Sequence, residues 1–125
     1  MSDEIRATIT NYCERFSAAD RVGWLALFAD DATVEDPVGS PVRHGLEEIG
    51  AFFDESHGAP DSIELKLNAP AIIIGTEASF AFTIRVNLAG SMFTLQAIDV
   101  MTFDDTARIT SQRAFVDHST MVPET

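Results

Sequence analysis

The sequence predicts an α+β domain in which helices pack on a curved, mostly antiparallel sheet. Up to Gly58, apolar residues recur at the spacing of three and four that is typical of helices. After Gly58 they alternate with polar residues, as in half-buried strands. The chain has 125 residues and contains no repeat, low-complexity stretch or linker, so we expect one domain spanning residues 1–125.

Three helices are predicted in the first half of the chain. The apolar face of the first helix comprises Ile5, Ile9, Tyr12 and Phe16. Asp20 is placed to cap a second helix, whose apolar residues are Trp24, Leu25, Leu27 and Phe28. A third helix fits residues 46–56 and is closed by Gly58, with an apolar face of Leu46, Ile49, Phe52 and Phe53.

The chain outside these three helices is predicted to form strands and turns. A short strand is predicted over residues 32–36, where Pro37 ends it. Beyond Gly58, alternation predicts four strand faces: Ile63, Leu65 and Leu67; Phe80, Phe82, Ile84 and Val86; Phe93, Leu95, Ala97, Asp99 and Met101; and Thr110, Gln112, Ala114 and Val116. Turns are expected near Ala89-Gly90 and Asp104-Asp105. Helices followed by an antiparallel meander are typical of an α+β domain.

Composition narrows the function classes. The net charge of −12 disfavours nucleic acid and anionic membranes as partners. A single cysteine excludes an intramolecular disulfide and a cysteine-rich zinc site. His44, His57 and His118 fit no metal spacing and are expected on the surface or in loops, so no metal or cofactor is predicted. With no secretory signal and no membrane-spanning stretch visible, we expect a soluble cytoplasmic protein.

Asp99 is the most informative position of the second half. It shares a strand face with Leu95, Ala97 and Met101, so its carboxyl points among apolar side chains. A carboxyl buried without a partner favours its protonated form, which donates a hydrogen bond. The alternative is a strand-end carboxylate that pairs with an arginine or is reached by water.

Two further residues are candidates for chemistry. Tyr12 lies on the apolar face of the first helix, so its hydroxyl needs a partner in the interior. Asp36 ends a strand and precedes Pro37, which favours extended backbone. The alternatives are an ordinary core tyrosine and an aspartate that stabilises a turn.

The sequence resembles the bacterial Δ5-3-ketosteroid isomerases, within the wider nuclear-transport-factor-2-like and SnoaL-like cone folds. The run from Leu27 to Ser40, LFADDATVEDPVGS, is similar to the family's strand that leads to its base aspartate. Tyr12 precedes Asp36 by 24 residues, as the catalytic tyrosine precedes the base in that family. The stretch IDVMTFD from Ile98 resembles the strand that bears the second acid.

This resemblance implies a cone-shaped domain, three helices against a curved sheet that encloses an apolar pocket. It implies a cofactor-free steroid Δ-isomerase that converts 3-oxo-Δ5-steroids into 3-oxo-Δ4-steroids. Asp36 would move the proton, while Tyr12 and protonated Asp99 would stabilise the dienolate oxygen; a neutral acid in this role is an established property of that family. The pocket would be lined by Phe53, Phe82, Ile84, Leu95, Ala97, Met101, Ala114 and Val116.

The resemblance also implies a homodimer, and Ile98 and Val100 on the opposite strand face suit a sheet covered by a partner. Phe28 and Phe53 stand where family members often carry further tyrosines, and Val116 stands where some carry an aromatic residue. Two other functions stay open. One is a related lyase or cyclase acting on a polyketide or terpenoid, and the other is a non-catalytic binding module.

Overall fold

The computed structural model describes residues 1–124, which form three helices and one seven-stranded sheet. The helices are α1 (Ser2–Ser17), α2 (Arg21–Leu25) and α3 (Gly45–Gly58). The strands are β1 (Phe28–Glu35), β2 (Arg43–His44), β3 (Ser62–Leu67), β4 (Ile72–Ile74), β5 (Glu77–Leu88), β6 (Ser91–Phe103) and β7 (Ile109–Pro123). The predicted α+β class is confirmed.

The sheet has the order β2-β1-β7-β6-β5-β3, with β4 paired to β5. Strands β5, β6 and β7 form the predicted meander, and every pairing is antiparallel except that of β1 with β7. The turn between β5 and β6 contains Ala89 and Gly90, both at positive φ. The parallel β1–β7 pair matters for the site, because it places the end of β1 beside the first third of β7.

The helices follow their predicted faces. Ile5, Ile9, Tyr12 and Phe16 of α1 are all buried. The Gly23 backbone N–H donates to Asp20 Oδ1 at 3.0 Å, so Asp20 caps α2 as predicted. Helix α1 packs against β3 and β4, and α3 packs against β1 and β2. The two helices thus cover opposite ends of one face of the sheet.

The boundary between α2 and β1 differs from the prediction. Helix α2 ends at Leu25, and β1 already begins at Phe28, four residues before the predicted strand. The apolar spacing that begins at Trp24 predicts that Leu27 and Phe28 are helical. They are buried in the same core from a turn and a strand instead. An apolar run this short does not distinguish the two structures.

The core beneath the helices is rich in aromatic residues. The Trp24 ring lies 4.7 Å from the Phe28 ring and 5.2 Å from the Phe53 ring, measured between centroids. Tyr12 contacts the same cluster, with its ring 5.7 Å from that of Trp24. This packing fixes the orientation of α1 over the sheet. Among the described residues, no helix combines the length and the apolarity needed to cross a bilayer.

Candidate active site

A largely apolar cavity of about 240 Å³ opens between α1, α3 and the sheet. Strands β3, β5, β6 and β7 form one wall, and the helices form the other. The lining residues are Tyr12, Phe16, Asp36, Pro37, Phe52, Ser56, Ile63, Leu65, Phe82, Ile84, Val86, Leu95, Val116 and His118. The site therefore places a carboxyl and a phenol in an apolar surface that is open to solvent at one side.

The structure divides the predicted pocket residues into two groups. Phe82, Ile84, Leu95 and Val116 lie on the cavity wall. Phe53, Ala97, Met101 and Ala114 do not line it. Each of these four is buried instead in the packed interior. The same strand face thus continues from the open cavity into the core.

Phe53 illustrates the difference for α3. Its ring packs edge-on against Phe16 at 5.6 Å and lies near Trp24, so it belongs to the core. The neighbouring Phe52 reaches the cavity, because successive residues of a helix point about 100° apart. Phe52 was predicted to face inward, but not to line the pocket.

Asp36 follows β1 and lines the cavity beside Pro37. The β1–β7 pairing aligns Val34 with Gln112, and the Val38 backbone N–H donates to the Ala114 carbonyl at 2.8 Å. These contacts fix the loop that carries the carboxyl. Burial raises the pKa of Asp36 to about 6, and the hydrogen bond from Gln112 acts in the opposite direction.

Tyr12 projects from the third turn of α1 and reaches the cavity from within the aromatic core. Its ring lies 6.3 Å from those of Phe28 and Phe80, in edge-on arrangements. Burial raises the pKa of Tyr12 well above its usual value, and the Asp99 and Asp36 carboxyls add to this by charge repulsion of a phenolate. The hydroxyl is therefore held in its neutral, hydrogen-donating form at physiological pH.

Asp99 is completely buried at the middle of β6. It does not line the cavity, and its Oδ1 has no hydrogen-bond partner in the described structure. Burial raises the pKa of Asp99 well above its usual value, and the nearby Asp36 carboxyl raises it further. The hydrogen bond from Gln112 and the nearby Tyr12 hydroxyl oppose this rise. The neutral acid is the form that this environment favours.

Gln112 on β7 connects the two acids. Its Nε2 lies 3.2 Å from Asp36 Oδ2 and 3.2 Å from Asp99 Oδ2, and the side chain is fully buried. Sequence reasoning placed Gln112 on the inward face but assigned it no role. The signal was present, since an amide on a buried strand face needs polar partners. The partners themselves could not be identified without the register between strands.

The histidines occupy three different environments. His44 is exposed at the end of β2, as expected. His57 ends α3 half-buried, its ring 3.9 Å from that of Phe53 and its two nitrogens each 2.8 Å from a backbone carbonyl oxygen, of Phe53 and of Phe16. His118 is exposed on β7 and lines the cavity mouth. Within residues 1–124, no group of three or more potential metal-ligating side chains converges.

Together these side chains supply a general base and a neutral hydrogen-bond donor in one apolar site. Asp36 is a carboxyl that is ionised at neutral pH and meets the cavity directly. Tyr12 supplies a neutral donor to the same cavity, and Asp99 and Gln112 are buried outside its lining. Such a set can remove a proton from a carbon acid and stabilise the oxygen on which negative charge develops.

Comparison with known proteins shows which family and which fold this chain shares. Residues 9–112 match the family model of the SnoaL-like domain. A steroid Delta-isomerase of Nocardioides simplex is 36% identical over 115 residues, which cover 92% of this chain and 91% of the relative. The solved structure of the epoxide hydrolase/cyclase-like enzyme SalBIII, from work on pyran ring formation in salinomycin, aligns with a TM-score of 0.88. That alignment covers 98% of both chains at 19% identity, so it is a likeness of fold.

Proposed function

The chain belongs to the SnoaL-like domain family, and from this membership we propose that it is a steroid Δ-isomerase acting on 3-oxo-Δ5-steroids. The observation that carries the proposal is that Asp36 and Tyr12 both line one apolar cavity. The relative from Nocardioides simplex bears the name of this activity and aligns over most of the chain. The expected reaction moves a β,γ double bond into conjugation with the 3-keto group.

Asp36 is the base of the proposed mechanism. It removes a proton from the carbon between the ketone and the double bond, and the electron pair left behind forms a dienolate. The protonated carboxyl then returns the proton two carbons further along the conjugated system, so that atoms and charge balance without a second base. The pKa of Asp36, raised by burial to about 6, makes the carboxylate more basic while leaving it ionised at neutral pH.

Tyr12 and Asp99 are the proposed donors to the dienolate oxygen. Tyr12 reaches the cavity directly, so its hydroxyl meets the substrate oxygen first. Asp99 lies behind it, and its unpartnered Oδ1 is the position from which a neutral carboxyl donates. A donor of this kind contributes roughly 10²–10³-fold to turnover in other enzymes, because charge on the oxygen is largest in the transition state.

The apolar wall suits a flat, rigid hydrocarbon skeleton. Phe82, Ile84, Leu95 and Val116 present side chains without hydrogen-bonding groups along the sheet. The cavity of about 240 Å³ is smaller than the ~300–1,000 Å³ typical of sites that enclose a drug-sized ligand. A four-ring ligand would therefore insert its ketone end and leave its far end near the mouth beside His118.

We also propose that the protein forms a homodimer through the outer face of the sheet. Ile98, Val100 and Phe115 lie on β6 and β7 with 48%, 37% and 45% of their surfaces exposed. Ile98 and Phe115 are aligned across the two strands, so they form one apolar surface. Sedimentation of the wild type and of Phe115→Glu tests this, since a charge there should shift the protein towards a monomer.

The proposed activity is tested by adding a β,γ-unsaturated 3-ketosteroid and following ultraviolet absorbance as the conjugated enone forms. An increase that depends on enzyme concentration supports the isomerase. The alternative of a cyclase-like enzyme is tested in parallel with an epoxy alcohol, by separating the products. Turnover of the epoxide alone would favour that alternative, and saturable steroid binding with neither reaction would favour a binding module.

A further inference from the structure

Gln112 contacts both buried acids through a single atom. Its Nε2 lies 3.2 Å from Oδ2 of Asp36 and 3.2 Å from Oδ2 of Asp99. The side chain is 1% exposed, and its Oε1 is buried without a partner in the described structure. Burying an amide group away from water is unfavourable unless it forms hydrogen bonds, so the two bonds to the acids explain why Gln112 is tolerated in the interior.

The two hydrogens of the Gln112 amide group fix the direction of the bonds to Asp36 and Asp99. An amide NH2 has two protons and no acceptor site, so one proton points to each carboxyl oxygen. Oδ2 of Asp99 is then an acceptor, and the proton of a neutral Asp99 must sit on Oδ1. Oδ1 is the oxygen that has no other partner. Gln112 thereby leaves the Asp99 proton free to be donated.

The same amide acts on Asp36. A second N–H holds one carboxylate oxygen of Asp36 against β7, and leaves the other oxygen for the substrate proton. The β1–β7 pairing, with Val34 opposite Gln112, sets this contact from the backbone. A hydrogen bond from a neutral donor stabilises a carboxylate more than a carboxylic acid.

We propose that Gln112 is a positioning residue with a different effect on each acid: it stabilises Asp36 as the ionised base, and it directs the proton of a neutral Asp99 to Oδ1, from which it is donated. This inference rests on the proposed isomerase function, because it names what keeps the two acids in their roles. Gln112 does not line the cavity, so it acts through Asp36 and Asp99 and does not touch the substrate.

The main competing role is packing, since Gln112 also fills space between β6 and β1. Two variants separate the roles. Gln112→Met preserves length and approximate volume but removes both N–H donors. Gln112→Glu preserves the shape almost fully, yet it supplies at most one proton and can add a negative charge beside the two acids. The matched control is Gln96→Met, the same change at an exposed position on β6.

Two readouts are measured for each protein. The first is the pH dependence of kcat/KM for a β,γ-unsaturated 3-ketosteroid, whose acidic limb reports the ionisation of the base in the free enzyme. The second is the titration of the Asp36 carboxyl carbon by NMR in protein labelled with 13C-aspartate, with the signal assigned by its loss in Asp36→Asn. The NMR readout needs no activity.

We expect Gln112→Met to move both the acidic limb and the Asp36 titration up by about one pH unit, since hydrogen bonds to charged groups are typically of that strength. Gln112→Glu should move them further, and Gln96→Met should leave them unchanged. KM should change by less than about twofold while kcat falls, because the interaction is not made with bound substrate.

An Asp36 titration that stays in place in Gln112→Met, or wild-type behaviour in Gln112→Glu, would overturn the inference in favour of packing. If Asp36 titrates as expected but the wild type does not isomerise the steroid, the proposed function is refuted. The inference that Gln112 couples Asp36 to Asp99 would still stand. Unfolding of a variant would be detected as a change in the fluorescence of Trp24, which is buried in the folded protein. In that case the other variant supplies the same two readouts.

Discussion

Replacing Asp99 by asparagine removes the only ionisable hydrogen from the most deeply buried carboxyl of the site while keeping a side chain that donates. In the wild type, burial and the neighbouring Asp36 raise the pKa of Asp99 above its value in the unfolded chain. The folded state therefore holds a proton that the unfolded state releases as the pH rises above about 4. The Asp99 contribution to stability is complete below that pH and is lost progressively as the pH rises towards the folded pKa.

The magnitude follows from the number of protons. One proton held by the folded state and absent from the unfolded state lowers the free energy of unfolding by about 1.4 kcal/mol per pH unit. Between pH 5 and pH 7, the wild type should therefore lose up to about 2.7 kcal/mol relative to Asp99→Asn. The raised pKa of Asp36 gives the wild type a further pH dependence, but the variant shares it.

The assay is urea denaturation at the two pH values, at one protein concentration. The single tryptophan, Trp24, is fully buried, so its fluorescence reports unfolding of the core. A stability difference between wild type and Asp99→Asn that is the same at pH 5 and pH 7 would refute the protonated state. A difference that shifts in favour of the wild type with rising pH would indicate an ionised, paired Asp99.

Activity measurements distinguish two possible roles of Asp99: direct donation to the substrate oxygen and support of the Tyr12 hydroxyl. Asp99→Leu should reduce kcat much more than Asp99→Asn, since leucine cannot donate. If Asp99 donates to the dienolate oxygen itself, Asp99→Leu should still reduce kcat in a Tyr12→Phe background. If it acts only through the Tyr12 hydroxyl, its effect should vanish there. Equal turnover of the asparagine and leucine variants would exclude both roles.

Three further results are expected. Tyr12→Phe should lower kcat by roughly 10²–10³-fold. Tyr12 is the only tyrosine in the chain, so its phenol can be titrated by ultraviolet absorbance, and its pKa should lie well above the usual value. A solvent-like titration would contradict the burial of Tyr12. The kcat/KM of the wild type should rise with pH through about 6 as Asp36 ionises, and a flat profile from pH 5 to pH 8 would contradict that role. Leu95→Ala should raise KM for the steroid by roughly 30-fold with little change in kcat, because about 2 kcal/mol of apolar contact is lost equally from both bound states; an unchanged KM would place the ligand elsewhere.

The strand faces were predictable from the sequence, but the extent of the cavity along them was not. Alternation placed Leu95, Ala97, Asp99 and Met101 on one face of β6, and the structure buries all four. Only Leu95 lines the cavity, because the helices and the core cover the rest of that face. Alternation reports which face is inward, and carries no information on where the covering helices leave space.

The same limit explains Gln112 and Phe52. Gln112 meets Asp36 and Asp99 only because β7 pairs with β1 on one side and with β6 on the other. Such a contact depends on residues 76 and 13 positions away along the chain. Phe52 and Phe53 are both apolar on a predicted helix, and the rotation of α3 over β1 decides which one reaches the cavity. These outcomes are set by tertiary packing.

The proton transfer by Asp36 is tested most directly by comparing Asp36→Asn with the wild type in the enone absorbance assay. Asparagine keeps the shape of the side chain but cannot take a proton from carbon, so turnover should fall by roughly 10²–10⁴-fold. Binding of a steroid with a phenolic A ring should remain within an order of magnitude of wild type, and Asp31→Asn, the same change at an exposed site on β1, should retain full activity. Turnover of Asp36→Asn close to that of an active wild type would contradict the assignment of the base.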